Sequence, residues 1–137
     1  MPLLILVADD NALVRNALRH VLQASGPWEV IEAEDGKAAI KTAEKRRPDL
    51  VILDLAMPEV DGLQTARELL RLYPDLPILL HTLYWSPRIE LEALSVGIRK
   101  VLQKSESGTV VAAVRELLEA KPPPGPDGTP GVGVKNQ

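Results

Sequence analysis

The sequence predicts an α/β protein with a five-stranded parallel sheet covered by five helices. The first indication is that short apolar runs alternate along the whole chain with amphipathic segments of helical period. The second is that each amphipathic segment is long enough to cross over between parallel strands, and such crossovers are right-handed. Helices connecting the strands in this way cover both faces of the sheet, so the strands themselves should be apolar throughout.

The first half of the chain contains three predicted strands and two predicted helices. Strands are expected at residues 3–8, 29–33 and 50–53, and the second is more exposed because its apolar and acidic residues alternate. Helices are expected at residues 11–25 and 36–47. Gly26 and Pro27 end the first helix, and Pro48 ends the second. The stripe expected to be buried in the first helix consists of Leu13, Ala17, Val21 and Leu22.

The second half continues the alternation. Strands are expected at residues 77–82 and 100–103, and helices at residues 63–73, 86–97 and 107–120. Ser86 and Pro87 form a good N-cap and first-turn pair for the fourth helix. His81 lies inside an apolar strand, and we expect it to be a hydrogen-bonded core or edge residue rather than a ligand. The inward residues expected in the last helix are Val110, Val114, Leu117 and Leu118.

Composition excludes several classes of protein. A chain of 137 residues suits a single domain that folds alone, and the absence of cysteine excludes disulfides and thiolate metal ligands. The net charge of -3 provides no basic surface for nucleic acid, and no apolar run is long enough to span a bilayer. We therefore expect a soluble, cytoplasmic protein that binds neither nucleic acid nor membrane directly.

The C-terminal residues differ in kind from the rest. Residues 122–137 contain five prolines and four glycines and have almost nothing apolar to bury. Such a composition predicts a disordered or extended segment after a folded domain of residues 1–121. It also suits a linker to a further domain, so the sequence leaves both interpretations open.

Polar residues follow four of the predicted strands. Asp9 and Asp10 come after the first strand, Asp54 after the third, Thr82 at the end of the fourth and Lys104 after the fifth. The carboxyl ends of parallel strands share one edge of the sheet, where chemistry collects. Three carboxylates there suit Mg²⁺, and a lysine with a hydroxyl can hold a transferring phosphoryl oxygen. This predicts attack of the Asp54 carboxylate on phosphorus to give an aspartyl phosphate.

Together with the residues that follow Asp54, this pattern resembles the receiver domain of bacterial two-component response regulators. The residues that complete it are Met57, Pro58, Asp61 and Gly62. The resemblance covers residues 3–120 and implies a flavodoxin-like, doubly wound sheet of strand order 2-1-3-4-5. It also implies that a sensor histidine kinase or a phosphotransfer protein phosphorylates Asp54.

The resemblance assigns further roles at the site. The expected Mg²⁺ ligands are Asp9, Asp10, Asp54 and the backbone carbonyl of Ala56. Thr82 would be the switch hydroxyl, and Lys104 would pair with the phosphoryl group. The added charge, about -1.5 to -2, would bias the surface of the fourth helix, fifth strand and fifth helix toward a downstream output protein or a second copy of the chain.

Three positions depart from the family pattern, and the simplest is Ser105, where many relatives have proline. The bulky Leu83, followed by Tyr84 and Trp85, stands where a small residue is usual. This predicts restricted access to Asp54 and a slow but long-lived phosphorylation. Val101 stands where a tyrosine or phenylalanine commonly switches, so Tyr84 or Trp85 is the candidate replacement.

Three functions remain open at this point. The first is a phosphoacceptor switch that is not itself an enzyme, acting alone or as part of a longer regulator with an output domain such as a DNA-binding helix-turn-helix. The second is a pseudo-receiver, an interaction module that is not phosphorylated. The third is an aspartyl-phosphate phosphatase, which is disfavoured because Ala56 stands where such enzymes carry a second acid.

Overall fold

The computed structural model describes residues 2–119, except for the side chains at positions 106 and 107. The strands within it are β1 (Leu3–Ala8), β2 (Trp28–Ala33), β3 (Leu50–Leu53), β4 (Ile78–Thr82) and β5 (Lys100–Gln103). The α-helices are α1 (Ala12–Ser25), α2 (Gly36–Lys45), α3 (Gly62–Leu72), α4 (Pro87–Val96) and α5 (Val110–Glu119). A 3₁₀ helix, Lys104–Thr109, joins β5 to α5. The segment predicted to be disordered or extended, residues 122–137, lies outside the described residues.

The strands form one parallel sheet in the order β2-β1-β3-β4-β5. Ala8 at the end of β1 lies opposite both Ala33 and Leu53, so the carboxyl ends of three strands are level. Thr82 at the end of β4 likewise lies opposite Gln103. The predicted flavodoxin-like sheet is thereby confirmed, and the polar residues after the strands share one edge.

The core is divided by the sheet into two apolar layers. Successive side chains of a strand point to opposite faces, so Leu6 packs in one layer while Ile5 and Val7 pack in the other. The first layer includes residues of α2, α3 and α4, and the second includes residues of α1 and α5. Because both faces are covered, all four residues of β3 are buried. This explains why its sequence is an uninterrupted apolar run.

Polar side chains cap the start of four helices. Each accepts a hydrogen bond from a backbone N–H in the first turn, which otherwise has no partner within the helix. The capping residues are Asn11, Asp35, Asp61 and Ser86. At the other end of α4, Gly97 has a φ of 115°, a left-handed conformation that glycine adopts without steric cost. Within residues 2–119, no helix has the length and hydropathy needed to span a bilayer.

The buried stripe predicted for α1 is wrong except at Leu22. The buried residues are Leu18 and Leu22, whereas Leu13 is 80% exposed and Val21 is 43% exposed. Successive residues lie about 100° apart around a helix. Ala17 and Val21 each come one position before a buried leucine, so their side chains lie at the edge of the interface and not inside it. As a result, α1 presents several apolar side chains to solvent.

The predicted start of α5 is also wrong. The helix begins at Val110 because residues 104–109 form the 3₁₀ helix. Val110, Val114 and Leu117 are buried as predicted, and Leu118 is half-buried.

Candidate functional site

The acidic residues after β1 and β3 are held by the sheet itself. The backbone N–H of Asp54 donates to the carbonyl of Ala8 at 2.9 Å, and that of Asp9 donates to the carbonyl of Ala33 at 3.1 Å. These bonds extend the parallel ladders past the strand ends. Both carboxylates are therefore buried, with 2% of Asp9 and 4% of Asp54 exposed, while the neighbouring Asp10 is exposed.

The structure brings the predicted carboxylates and lysine together. Carboxylate oxygens of Asp9, Asp10 and Asp54 lie within 4.8 Å of one another. The Lys104 ammonium lies 2.8 Å from Oδ2 of Asp9 and 3.5 Å from Oδ1 of Asp54. Three strands thus contribute one group of charges, in which a single lysine contacts two acids.

This grouping changes the acidity of Asp54. Burial raises the pKa of Asp54 to about 6, and the negative charge of Asp9 acts in the same direction, against the opposing effect of Lys104. Burial acts to lower the pKa of Lys104, but its hydrogen bond to Asp9 and the charges of both acids outweigh it, and the net pKa is raised. At neutral pH an ionised Asp54 therefore lies beside a positively charged lysine.

Asp9 has further hydrogen bonds that fix its position. Its Oδ1 accepts the backbone N–H of Asn11 at 2.9 Å, and its carbonyl accepts Nη1 of Arg15 at 2.6 Å. Arg15 also donates from Nε to Glu32 at 3.0 Å, and Arg19 pairs with the other oxygen of Glu32 at 2.6 Å. Sequence reasoning missed Arg15. Its position one turn after Asn11 was the available signal, because α1 then aims it back toward the end of β1.

The turn after β3 is compact around the backbone of Asp54. The N–H of Gly62 donates to the carbonyl of Leu55 at 2.8 Å. A Cβ built on Gly62 would fall against the carbonyl oxygen of Asp54 and lie 2.8 Å from the Cα of Leu55. Only glycine fits this close approach without displacing backbone. Ala56, between Asp54 and this turn, is exposed, and its carbonyl remains only a predicted ligand.

Thr82 is fully buried at the end of β4. Its Oγ1 accepts the backbone N–H of Tyr84 at 2.9 Å, which ties the hydroxyl to the loop that follows. In that loop Leu83 and Tyr84 are 67% and 61% exposed, and Nε1 of Trp85 donates to Glu90 of α4 at 2.6 Å. The loop therefore connects the predicted switch hydroxyl directly to the first turns of α4.

The environment of His81 differs in part from the prediction. The residue is buried as expected, with 2% exposed, but neither ring nitrogen has a hydrogen-bond partner among residues 2–119. Burial, together with the charge of Lys104, lowers the pKa of His81 to about 4, so its ring is neutral at pH 7.

The donor set at the sheet edge fits Mg²⁺. All three clustered side chains offer carboxylate oxygens, the ligands that this ion prefers, and the exposed Asp10 leaves one side open to water or phosphate. Asp9, Asp10 and Asp54 would hold the ion. Among the described residues this is the one cluster of at least three potential metal-ligating acidic or histidine side chains.

A doubly wound parallel sheet with an acidic cluster and a lysine after its strands defines the class of protein. The model of the response regulator receiver domain matches residues 5–115, and the chain belongs to that family of two-component signalling domains. The resemblance predicted from the strand-end residues is thus confirmed.

Relatives and solved structures agree with this assignment. The chain is 39% identical over 129 residues to the response regulator MprA of Mycobacterium sp. (strain KMS), covering 93% of this chain and 56% of that protein. It is 32% identical over 124 residues to the transcriptional regulatory protein YdfI of Bacillus subtilis, covering 86% of this chain and 58% of YdfI. The chain thus spans little more than half of either relative. Chemotaxis protein CheY4 of Vibrio cholerae superposes with a TM-score of 0.80 at 30% identity, covering 85% of this chain and 99% of CheY4.

Proposed function

We propose that this receiver domain is a phosphoacceptor, phosphorylated on Asp54 by a sensor histidine kinase or a phosphotransfer protein. The observation that carries the proposal is the position of the Asp54 carboxylate. It is buried, lies within 4.8 Å of oxygens from two further carboxylates and is 3.5 Å from the Lys104 ammonium. A nucleophile, a set of Mg²⁺ ligands and a cation for phosphoryl oxygens are thereby combined at one place.

The reaction is a phosphoryl transfer between two side chains. An oxygen of Asp54 forms a bond to phosphorus while the bond from phosphorus to the imidazole nitrogen of the donor breaks, and the freed imidazole takes up a proton. Mg²⁺, when bound, supplies positive charge that stabilises the phosphoryl oxygens. A pKa of about 6 leaves Asp54 ionised at neutral pH, as a nucleophile must be. Lys104, already beside Asp54, pairs with a phosphoryl oxygen.

The phosphorylated state then changes a protein-interaction surface. The phosphoryl group offers the Thr82 hydroxyl a strong acceptor, and turning toward it breaks the present bond from Tyr84. Because Trp85 and α4 follow directly, the loop and the start of α4 move with it. Val101 is only half-buried in β5 and has no aromatic ring to switch, so the response is carried mainly by this loop.

The response to phosphorylation is carried out by a further domain or by another protein. The relatives are named as a response regulator and a transcriptional regulatory protein, and the chain matches little more than half of each. We propose that the switched surface acts on an output domain of a longer chain, on a separate output protein or on a second copy, in the cytoplasm. The net charge of -3 favours a protein partner over direct nucleic-acid contact.

The test is intact-mass measurement after incubation with Mg²⁺ and acetyl phosphate or phosphoramidate. Wild type should gain one phosphoryl group, sensitive to hydroxylamine as an acyl phosphate is, and Asp54→Ala should gain none. Asp35→Asn is the matched control, because asparagine caps α2 as well as aspartate does and the position lies outside the acidic cluster. It should be phosphorylated like wild type.

Two other outcomes would replace the proposal. No adduct on wild type, with Mg²⁺ binding confirmed by calorimetry, would indicate an interaction module that is not phosphorylated. Repeated release of phosphate from a separate phosphoester would indicate a phosphatase. The second is disfavoured by Ala56, because no acid stands there to protonate a leaving group.

A further inference from the structure

Arg15 of α1 connects the loop after β1 to the neighbouring strand β2. Its Nη1 donates to the backbone carbonyl of Asp9 at 2.6 Å, and its Nε donates to Oε1 of Glu32 at 3.0 Å. Only 16% of the arginine side chain is exposed, so water competes little for either bond. A guanidinium carries its donors in a rigid planar fork, so the bond to Glu32 fixes the direction of the bond to Asp9.

The carbonyl that Arg15 holds belongs to the peptide between Asp9 and Asp10. The Asp9 carboxylate has two other partners, because its Oδ1 accepts the N–H of Asn11 at 2.9 Å and its Oδ2 lies 2.8 Å from the Lys104 ammonium. Asp10 is exposed, so little packing holds its side chain. The orientation of this one peptide therefore decides where the Asp10 carboxylate lies.

The position of Asp10 matters for a bound cation. A peptide is planar, so holding the carbonyl of Asp9 also fixes the N–H of Asp10 and the direction in which its side chain leaves the backbone. In the present orientation the carboxylate oxygens of Asp9, Asp10 and Asp54 lie within 4.8 Å of one another. Mg²⁺ demands a near-ideal arrangement of its ligands. A rotation of the peptide would carry one of the three expected ligands away from the other two.

We propose that Arg15 is a positioning residue for the Mg²⁺ site, which holds the peptide between Asp9 and Asp10 so that Asp10 stays beside the two buried carboxylates. This role rests on the proposed function, because it takes the acidic cluster as a Mg²⁺ site, but it does not require Asp54 to be phosphorylated. Arg15 contacts neither the expected metal nor the reacting atoms, and it acts only through the backbone of Asp9.

The charge of Arg15 has the opposite effect on Mg²⁺ and can be separated from its hydrogen bond. A nearby cation repels Mg²⁺, so an arginine acting only through its charge would bind the ion less tightly than a neutral residue. Arg19 carries the same charge on the same helix and pairs with the other oxygen of Glu32 at 2.6 Å. Among residues 2–119 its side chain bonds to this glutamate and not to the loop after β1. Arg19 is therefore a matched control for both the charge and the ion pair.

The test follows backbone amide chemical shifts by NMR while MgCl₂ is added to the full chain without a phosphodonor. Arg15→Met should weaken Mg²⁺ binding by about 10-fold, as is usual when a partner that orients a metal ligand is lost. Arg19→Met should bind Mg²⁺ at least as tightly as wild type. Before Mg²⁺ is added, the Asp10 amide resonance should differ from wild type in Arg15→Met and coincide with it in Arg19→Met.

Arg15→Lys tests the positioning role at constant charge. Lysine keeps the positive charge but lacks the planar fork that joins Glu32 to the Asp9 carbonyl. It should therefore also weaken Mg²⁺ binding, although by less than methionine does. Because this variant is the milder change, it gives the same test if Arg15→Met does not fold.

The proposal is overturned if the Arg15 variants bind Mg²⁺ as tightly as wild type or more tightly, since only the charge would then matter. It is equally overturned if Arg15→Met and Arg19→Met weaken binding by the same factor, because the ion pairs between α1 and β2 would then hold the loop as a whole. A wild-type chain that does not respond to Mg²⁺ is a distinct result, which would overturn the magnesium site itself and the proposed function with it.

Discussion

Lys104 joins two carboxylates that come from different strands, with its ammonium 2.8 Å from Asp9 and 3.5 Å from Asp54. The shorter contact holds the lysine on Asp9, which is itself fixed by the N–H of Asn11 and by Arg15. Asp54 therefore has the lysine beside it without being its closest partner. A phosphoryl group on Asp54 would have to share the lysine with Asp9 or draw it away from the 2.8 Å contact.

Removing the lysine charge should make Asp54 a weaker acid. The charge and hydrogen bond of Lys104 oppose the effects of burial and Asp9, so Lys104→Gln should raise the Asp54 pKa above its present value of about 6. The measurement is a carbon-13 NMR titration of the Asp54 carboxyl group without Mg²⁺. Lys100→Gln is the matched control, since Lys100 pairs with Glu116 on the surface at 3.2 Å. An unchanged Asp54 pKa in Lys104→Gln would show that the lysine does not act on this acid.

The raised pKa of Asp54 also predicts how stability depends on pH when Mg²⁺ is absent. In the folded protein the carboxyl group has a pKa of about 6, against an ordinary value of 3.8. The folded state then binds the proton more tightly than the unfolded state, so the stabilisation is complete below about pH 4 and is lost as the pH rises through 6. At pH 7 an ionised Asp54 destabilises the fold.

Asp54→Asn should consequently be more stable than wild type at pH 7 by roughly 3 kcal/mol, because the pKa rises by about 2 units and each unit is worth about 1.4 kcal/mol. The difference should shrink toward pH 4. Urea unfolding in EDTA at several pH values measures this difference in the free energy of unfolding. Asp35→Asn is the control, and its stability relative to wild type should not change with pH in the same way. Mg²⁺ should narrow the gap at pH 7, because it binds the carboxylate of wild type. A variant no more stable than wild type at pH 7 would contradict the prediction.

These site properties show what sequence can and cannot predict. The convergence of Asp9, Asp54 and Lys104 follows from chain order alone, because parallel strands bring their carboxyl ends to one edge. The buried face of α1 was misjudged because Leu13, Ala17 and Val21 are as apolar as Leu18, and only packing against β1 and α5 selects between two stripes about 100° apart. His81 was predictable as buried from its apolar strand. Its lack of a partner was not, since a hydrogen bond depends on which side chains the fold brings to the ring.

Because the backbone of Gly62 lies so close to that of Asp54, replacing Gly62 with any larger residue should destabilise the fold. In most helical positions replacing glycine with alanine is favourable, but here the added Cβ meets the backbone of Asp54 and Leu55. Gly62→Ala should lower the free energy of unfolding by at least about 2 kcal/mol, in the manner of an overpacked core. Gly108→Ala, where the new Cβ would have no neighbour within 4 Å, is the control and should cost little. Chemical denaturation compares them, and equal stabilities would contradict the prediction.

The hydrogen bond from Tyr84 to Thr82 predicts that the β4–α4 loop responds to the threonine hydroxyl. Thr82→Ala removes the acceptor and should loosen the loop, which changes the contact of Trp85 with Glu90. Thr82→Ser keeps the hydroxyl and should behave like wild type. Trp85 fluorescence, measured with Trp28 replaced by phenylalanine, reports the difference. Identical emission from the alanine and serine variants would show that the hydroxyl does not hold the loop.

Leu83 directly follows Thr82, the proposed switch hydroxyl, and its bulk leads to a prediction about the lifetime of the proposed aspartyl phosphate. Its side chain is 67% exposed, so Leu83→Ala should change stability by less than about 0.5 kcal/mol. If its bulk restricts entry of donor and water to Asp54, the variant should both gain and lose the phosphoryl group several-fold faster than wild type. Leu91→Ala, which removes a 70% exposed leucine from α4, is the matched control and should leave both rates unchanged. The rates come from intact mass against time after adding a small donor and after removing it. Equal rates for Leu83→Ala and wild type would mean that this exposed leucine does not obstruct access to Asp54.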